Sequence, residues 1–390
     1  MRSRAAVLRG VGKPWEVCDI ELDDPRPGEV LVRIAAAGIC HTDDHFATGD
    51  TVPSPEMVEL MRAAGMEVPE WYPLIGGHEG AGVVEQVGEG VTTVAVGDHV
   101  ATSWIPACGR CRWCVRGQSY LCDEGANLFS KTMITDGTAR RHIGDEPLAA
   151  TTQLGTFSEY IVAAESSLVK IDKSVPFHAA SLVSCGVTTG WGSATVCAGT
   201  EHGDTVVVIG VGGVGMNAVQ GARAAGAQYI VAVDPVAFKR DSAAQFGATH
   251  TSPSAGEAIE LVRELTHGVM ADRVVITAGV VPVDLIPTGM MLIRKGGTCV
   301  VTGMTKLTDL SVPLILVEMV NSHKTLKGAL YGGMNSRIDT PKLLSLYQNG
   351  KLKLDELVTK RYRLDDINEA IIDLRAGTNI RGIIEFDHSS

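Results

Sequence analysis

The chain has 390 residues, 45% of them hydrophobic, which is enough to bury the cores of two domains. Its formal net charge of −11, with no block of Lys or Arg, disfavours nucleic acid and anionic membrane as partners. The N-terminal Met1-Arg2-Ser3-Arg4-Ala5-Ala6-Val7-Leu8 lacks the apolar run of a signal peptide. The most apolar stretch, residues 205–233, is broken by six glycines, Gln220 and Arg223. Neither segment reads as a membrane span, and the default compartment is the cytoplasm.

Residues 4–38 and 76–104 alternate short apolar runs with Pro/Gly turns, as in Glu29-Val30-Leu31-Val32-Arg33-Ile34 and Gly82-Val83-Val84-Glu85-Gln86-Val87-Gly88. This rhythm predicts a rolled β domain. Between them, Ser54 can cap a helix with Pro55 in its first turn. Met57, Leu60, Met61 and Ala64 share one face of that helix, and Gly65 ends it. From about Pro176 the pattern changes. Thr205-Val206-Val207-Val208-Ile209 is a β-branched run suited to a buried parallel strand. A Gly-rich turn, a small-residue helix over 216–225 and a strand over 229–233 ending at Asp234 follow. Residues 273–277 and 297–301 read as later strands of the same sheet. This βαβ alternation predicts a doubly wound domain. After about Leu330, a helix through 341–347 and a strand at 382–386 are expected to return to the first domain.

Nine cysteines are present, four of them within fifteen residues in the spacing Cys108-x2-Cys111-x2-Cys114-x7-Cys122. Four thiolates on one short loop can close around a Zn²⁺ with no position left open, a structural site. An iron–sulfur cluster is the rival occupant. A second, dispersed set is Cys40, His78 and Cys185. Cys40 ends an apolar strand, His78 lies among glycines in Gly76-Gly77-His78-Glu79-Gly80, and Cys185 precedes the doubly wound domain. One His and two Cys would leave a fourth zinc position open, as catalysis requires. Each taken alone is equally a buried core or turn residue.

Gly210-Val211-Gly212-Gly213-Val214-Gly215 follows a strand and opens a helix, and Asp234 ends the next strand nineteen residues beyond Gly215. The glycines suit backbone approach to a pyrophosphate at the helix N-terminus. Asp234 would bind a ribose 2′-hydroxyl and repel a 2′-phosphate, favouring NAD over NADP. Thr42, Asp43, Asp44 and His45 follow Cys40. Thr42 and His45 can pass a proton outward, and Asp43 can orient a ligating imidazole. The same residues also read as a polar helix start capped by Thr42.

With these motifs in hand, the chain resembles the zinc-containing medium-chain alcohol dehydrogenases over nearly its whole length. Gly77-His78-Glu79-x2-Gly82-x5-Gly88-x2-Val91 fits the family's zinc signature. The segments Gly38 to His45, Ser184 to Gly190 and the four-cysteine loop fit its ligand segments. The resemblance implies an α/β chain. It would comprise a GroES-like β-rich catalytic domain over 1–186 and 330–390, with a structural zinc lobe at about 104–124, and a Rossmann NAD-binding domain over 187–329. The active site would lie in the cleft between them. Two Zn²⁺ per chain and NAD(H) are implied, with catalytic zinc on Cys40, His78 and Cys185 and structural zinc on the four-cysteine loop. Glu79 resembles the carboxylate that can approach zinc from behind. Thr42 and His45 resemble the proton relay, and Thr189 the residue near the nicotinamide. His41, Lys239 and Arg375 fall where the family places cofactor contacts. A small alcohol or aldehyde is the implied substrate, and pairing of Rossmann sheets implies a homo-oligomer, dimer or tetramer.

Three stretches, Ile105 to Cys114, Gly190 to Ser193 and Val233 to Arg240, are similar to alcohol dehydrogenases dependent on N,N-dimethyl-4-nitrosoaniline. Those enzymes hold NAD as a non-exchanging group, so a second substrate or an external electron acceptor must reoxidise it. Residues 50–72 form an insertion relative to the common pattern; its helix would cover the mouth of the cleft or merely decorate the surface. Rival readings are a thiol-dependent formaldehyde dehydrogenase with dissociable NAD and a non-catalytic, cofactor-binding structural member. Retention of every zinc ligand argues against the latter.

Overall fold

The computed structural model describes residues 1–65, 68, 70–128 and 130–388. Met66, Glu67 and Pro69 of the insertion, together with Phe129, Ser389 and Ser390, lie outside the described residues. The chain divides into two compact units, Met1–Cys185 with Asn335–Ser390, and Gly186–Met334. Residues 330–334 thus belong to the second unit rather than to the returning tail. The Tyr331–Gly333 turn packs on the helix Gly186–Gly192, so closely that a side chain at Gly192 would run into the Gly332 backbone and Met334.

The first unit is built on two sheets. One has six strands in the order Glu146–Pro147, Arg141–Ile143, Trp15–Leu22, Arg2–Leu8, Leu74–Ile75, Ala149–Ala150. The other has seven and is centred on Glu29–Gly38, which pairs antiparallel with Glu79–Val87, Tyr160–Ala164 and Arg381–Glu385. The Glu29–Gly38 strand is buried along nearly all its length, which explains its continuous Val/Ile/Ala character. Its Val30, Val32 and Ile34 anchor an apolar core that includes Trp15, Phe157 and, from the tail, Ile367, Ile371 and Ile384. The tail therefore joins this sheet through Arg381–Glu385, where a returning strand is expected at 382–386. At the start of the Glu29–Gly38 strand, Glu29 forms a fully buried, bidentate ion pair with Arg140, with Nε–Oε2 at 2.7 Å and Nη2–Oε1 at 2.8 Å.

The insertion contains a helix over Pro55–Ala63, where the Ser54 hydroxyl accepts from the Met57 N–H at 3.3 Å and Gly65 follows with φ +71°. None of its residues is buried, and Leu60 is 73% exposed, so the apolar face expected at Met57, Leu60, Met61 and Ala64 is not packed into the unit's core.

The second unit is one six-stranded parallel sheet in the order His250–Ser252, Tyr229–Val233, Thr205–Ile209, Ala271–Ile276, Ile293–Val301, Thr325–Gly328. Strand order reverses between Thr205–Ile209 and Ala271–Ile276, the topological switch point at which doubly wound sheets bind ligands. All five residues of Thr205–Ile209 are buried, because helices cover both faces. Among the described residues no helix is long and apolar enough to cross a membrane.

Candidate active site and metal centres

Three separated stretches of the first unit bring Cys40, His78 and Cys185 together. Cys40 follows the Glu29–Gly38 strand and serves as N-cap of the helix His41–Thr48, a position expected of Thr42; Thr42 is instead the second helical residue. His78 precedes the Glu79–Val87 strand, and Cys185 follows the helix Phe177–Val183. All three are buried, at 8%, 1% and 7% exposure. One donor atom from each, with one from Glu79, lies within 4.8 Å of all the others. The chemistry of the set fits a zinc ion. A hydrogen bond from Cys185 holds the Cys40 thiol well below the usual thiol range and drives Cys185 well above it. Zinc binds thiolates, so a divalent ion here would favour ionisation of both sulfurs.

The surroundings orient these groups. Asp43, fully buried, accepts the Gly77 N–H on Oδ1 at 2.7 Å, and its Oδ2 lies 3.2 Å from His78 Nδ1. That contact is off the line of a good hydrogen bond and leaves both atoms without another partner. Since Nδ1 faces Asp43, Nε2 is the nitrogen left for a metal. Burial disfavours the charged imidazole, but Asp43 and Cys40 outweigh it and raise His78 well above its ordinary value. Gly77 must be glycine: its φ is +89°, and a Cβ would lie 2.5 Å from the Phe157 nitrogen. Glu79 is ion-paired with Arg381 of the tail strand. Burial pushes the Glu79 carboxyl up to about 7 against the pull of that guanidinium. Gly38 leaves room for the pair, since a side chain there would meet both residues. The sequence does not mark Arg381 as a site residue; its only signal is an arginine opening the terminal strand Arg381–Glu385.

Thr42 lies beside the cluster, its Oγ1 3.7 Å from Cys40 Sγ. One turn on, His45 is 3% exposed and its Nδ1 lies 3.5 Å from Asp50 Oδ2. The His41 and His45 rings are 6.4 Å apart. Arg375 binds Asp44, with Nη2–Oδ1 at 2.6 Å and Nε–Oδ1 at 2.8 Å.

The four-cysteine loop folds as the spacing predicts. One sulfur from each of Cys108, Cys111, Cys114 and Cys122 lies within 4.8 Å of the others, with Cys108–Cys114 at 3.9 Å and Cys111–Cys122 at 4.0 Å. A tetrahedron with Zn–S of about 2.3 Å has edges of about 3.8 Å. The N–H groups of Cys111, Cys114 and Cys108 point at Cys108, Cys111 and Cys122 sulfurs at 3.4, 3.4 and 3.5 Å. Backbone donors of this kind favour thiolate over thiol.

In the second unit the Gly-rich turn leaves the Thr205–Ile209 strand at the switch point. Gly210 has φ +90°, and a Cβ there would lie 2.7 Å from the Ala278 nitrogen. Gly215 packs against Gly210, where a side chain would meet Thr277 Oγ1 at 2.8 Å. Gly212 differs: a Cβ there would meet nothing within 4 Å, so packing within the chain does not explain the glycine. Gly212 is N-cap of the helix Gly213–Ala224, whose first N–H groups, including those of Gly213 and Val214, suit a pyrophosphate. Asp234 ends the neighbouring strand, its oxygens accepting from Val211 and Val236 N–H at 3.0 and 2.9 Å. Lys239 lies in the first turn of the helix Ala237–Phe246, and Thr189 in Gly186–Gly192.

This geometry has known counterparts. Residues 26–173 match the family described as alcohol dehydrogenase GroES-like domain, and residues 213–349 match zinc-binding dehydrogenase. The chain belongs to the zinc-containing medium-chain alcohol dehydrogenases, a family of oxidoreductases, and has their GroES-like and Rossmann domains. It is 49% identical to the NDMA-dependent alcohol dehydrogenase of Amycolatopsis methanolica, over 98% of this chain and 99% of that protein. It is 45% identical to alcohol dehydrogenase B of Mycobacterium tuberculosis, over 99% of each. Its fold superposes on the alcohol dehydrogenase zinc-binding domain protein from Burkholderia ambifaria with a TM-score of 0.88, at 31% identity and full coverage of both chains.

Proposed function

We propose that this protein interconverts alcohols and aldehydes. Catalytic zinc is held by Cys40, His78 and Cys185, structural zinc by Cys108, Cys111, Cys114 and Cys122, and NAD by the second unit. The observation that carries the reading is the buried meeting of two cysteines and a histidine, with Asp43 behind the imidazole. Three protein ligands leave a fourth position for the substrate oxygen. When bound, zinc polarises that oxygen and NAD accepts the hydride. Asp43 fixes the His78 ring, Arg381 holds the Glu79 carboxylate, and Thr42 takes the substrate's hydroxyl proton and passes it toward His45. Asp234 selects NAD over NADP. His41, Thr189 and Lys239 contact the cofactor, and Arg375, with Nε and Nη2 committed to Asp44, keeps Nη1 for it.

The cofactor stays bound between turnovers and is reoxidised by a second substrate or an external acceptor; the 49% identity to an NDMA-dependent enzyme supports this. We also infer a homo-oligomer. Thr325–Gly328 is an edge strand of the parallel sheet, and Leu310, Ile315, Leu316, Val317 and Val320 nearby in sequence are 66–83% exposed. The test is the cofactor content of extensively dialysed protein, by mass spectrometry after denaturation. About one NAD(H) per chain is expected for a resident cofactor. An empty protein that turns over alcohol with added NAD⁺ would overturn that part of the reading. Formaldehyde turnover that requires a thiol would redirect it to the thiol-dependent class.

A further inference from the structure

The insertion begins beside the end of the helix His41–Thr48. Gly49, in the left-handed region with φ 84°, turns the chain so that Asp50 faces back to the helix. Asp50 Oδ2 accepts from Thr48 Oγ1 at 2.6 Å and lies 3.5 Å from His45 Nδ1. The His45 side chain is 3% exposed and that of Asp50 18%, so the carboxylate is the member of the pair that reaches solvent. The other ionisable groups about this corner are His41, its ring 6.4 Å away, and Arg375, which is bound to Asp44 and also feels the charge of Asp50. The Tyr72 hydroxyl is turned to the Phe46 carbonyl at 2.7 Å.

We propose that Asp50 is the positioning residue of the proton relay. Its carboxylate accepts the hydrogen bond of His45 Nδ1–H and thereby fixes the neutral ring as the tautomer whose acceptor lone pair is on Nε2. Thr48 holds the carboxylate in place. When an alcohol is oxidised, its O–H bond breaks, an N–H bond forms at Nε2, and the resulting imidazolium is held against Asp50 until it gives one proton to water. No electrons pass through the pair. The 3.5 Å separation is at the outer limit of a hydrogen bond, as catalytic hydrogen bonds often are before substrate binds. The proposal rests on reading Thr42 and His45 as the relay.

The test uses the purified zinc- and NAD-loaded protein and the variants Asp50→Asn, Asp50→Glu, His45→Gln and the double variant Asp50→Asn/His45→Gln. Equal melting temperature and zinc content establish an intact fold. Turnover is measured from pH 6 to 10, and ¹⁵N-histidine NMR reads which ring nitrogen of His45 carries the proton. Asp50→Asn should lower kcat near pH 7 by roughly three- to tenfold, the worth of one hydrogen bond, with the deficit closing at high pH. Asp50→Glu should restore most of it. The His45 ring should lose its Nδ1–H preference in Asp50→Asn, and the substitution should add no further loss to His45→Gln. An equal loss in both backgrounds, a loss independent of pH, or an unchanged tautomer overturns the role of Asp50 while leaving the relay standing. Unaltered turnover in His45→Gln overturns the relay and this proposal with it.

Discussion

Replacing Asp43 by asparagine should separate metal affinity from folding. In the wild-type protein Oδ1 accepts the Gly77 N–H at 2.7 Å while Oδ2 faces His78 Nδ1 at 3.2 Å. An asparagine that keeps its oxygen on Gly77 must present its NH₂ group to His78. That group donates to Nδ1 and selects the Nε2–H tautomer, which removes the nitrogen needed by zinc. The expected loss is about 10–100-fold in metal affinity, or roughly 1.4–2.8 kcal/mol. Asp43→Ala also strips the Gly77 N–H of its acceptor in a fully buried place, costing about 1–3 kcal/mol of fold stability as well. Zinc retained against a graded chelator series, with metal counted by mass spectrometry, gives the first quantity; urea unfolding of metal-stripped protein gives the second. Asparagine and alanine should lose zinc alike, whereas the stripped asparagine variant should unfold close to wild type. An asparagine variant that holds zinc as tightly as wild type would refute the argument, as would equal loss of apo-protein stability in both variants.

Cys40→Ser should abolish turnover with the melting temperature nearly kept, whereas Cys108→Ser should lower both melting temperature and zinc content; the reverse pattern would exchange the two sites' roles. Asp234→Ser should raise the preference for NADP over NAD, measured by cofactor bound to refolded protein, and should cost stability because the Val211 and Val236 N–H groups lose their carboxylate. The Glu165 carboxylate accepts N–H groups of Thr92 and Thr93 at 2.7 and 2.5 Å, which outweigh the effect of burial and hold it below its usual range. Its folded value being the lower one, its stabilisation is fully present above the unfolded carboxyl range and is lost as pH falls through the folded value. The urea midpoints of wild type and Glu165→Gln should therefore differ at pH 7 and converge toward pH 3. Deleting residues 52–70 should shorten cofactor residence if the exposed helix Pro55–Ala63 covers the approach to the cofactor; unchanged residence would leave it as surface decoration.

What the sequence determined by itself was whatever lies within one loop or one βαβ unit. Cys108 to Cys122 span fifteen residues, so spacing alone limits how far apart their sulfurs can be. Gly210 to Asp234 likewise form one strand–turn–helix–strand, whose geometry follows from local backbone rules. The apolar runs 205–209 and 229–233 coincide with observed strands because helices bury both of their faces, leaving no polar alternation to blur the ends.

Only the tertiary structure decided contacts between residues whose separation along the chain carries no period. Glu79 meets Arg381 and Asp44 meets Arg375 because the tail strand and its preceding helix return to the first sheet. Arg140, whose neighbours in the chain give no sign of it, is fully buried on Glu29. Asp50 reads only as the start of the 50–72 insertion, and it meets His45 because Gly49 turns the chain back. Composition prices such charges for solvent; the fold buries them only because each finds a partner that sequence distance cannot reveal.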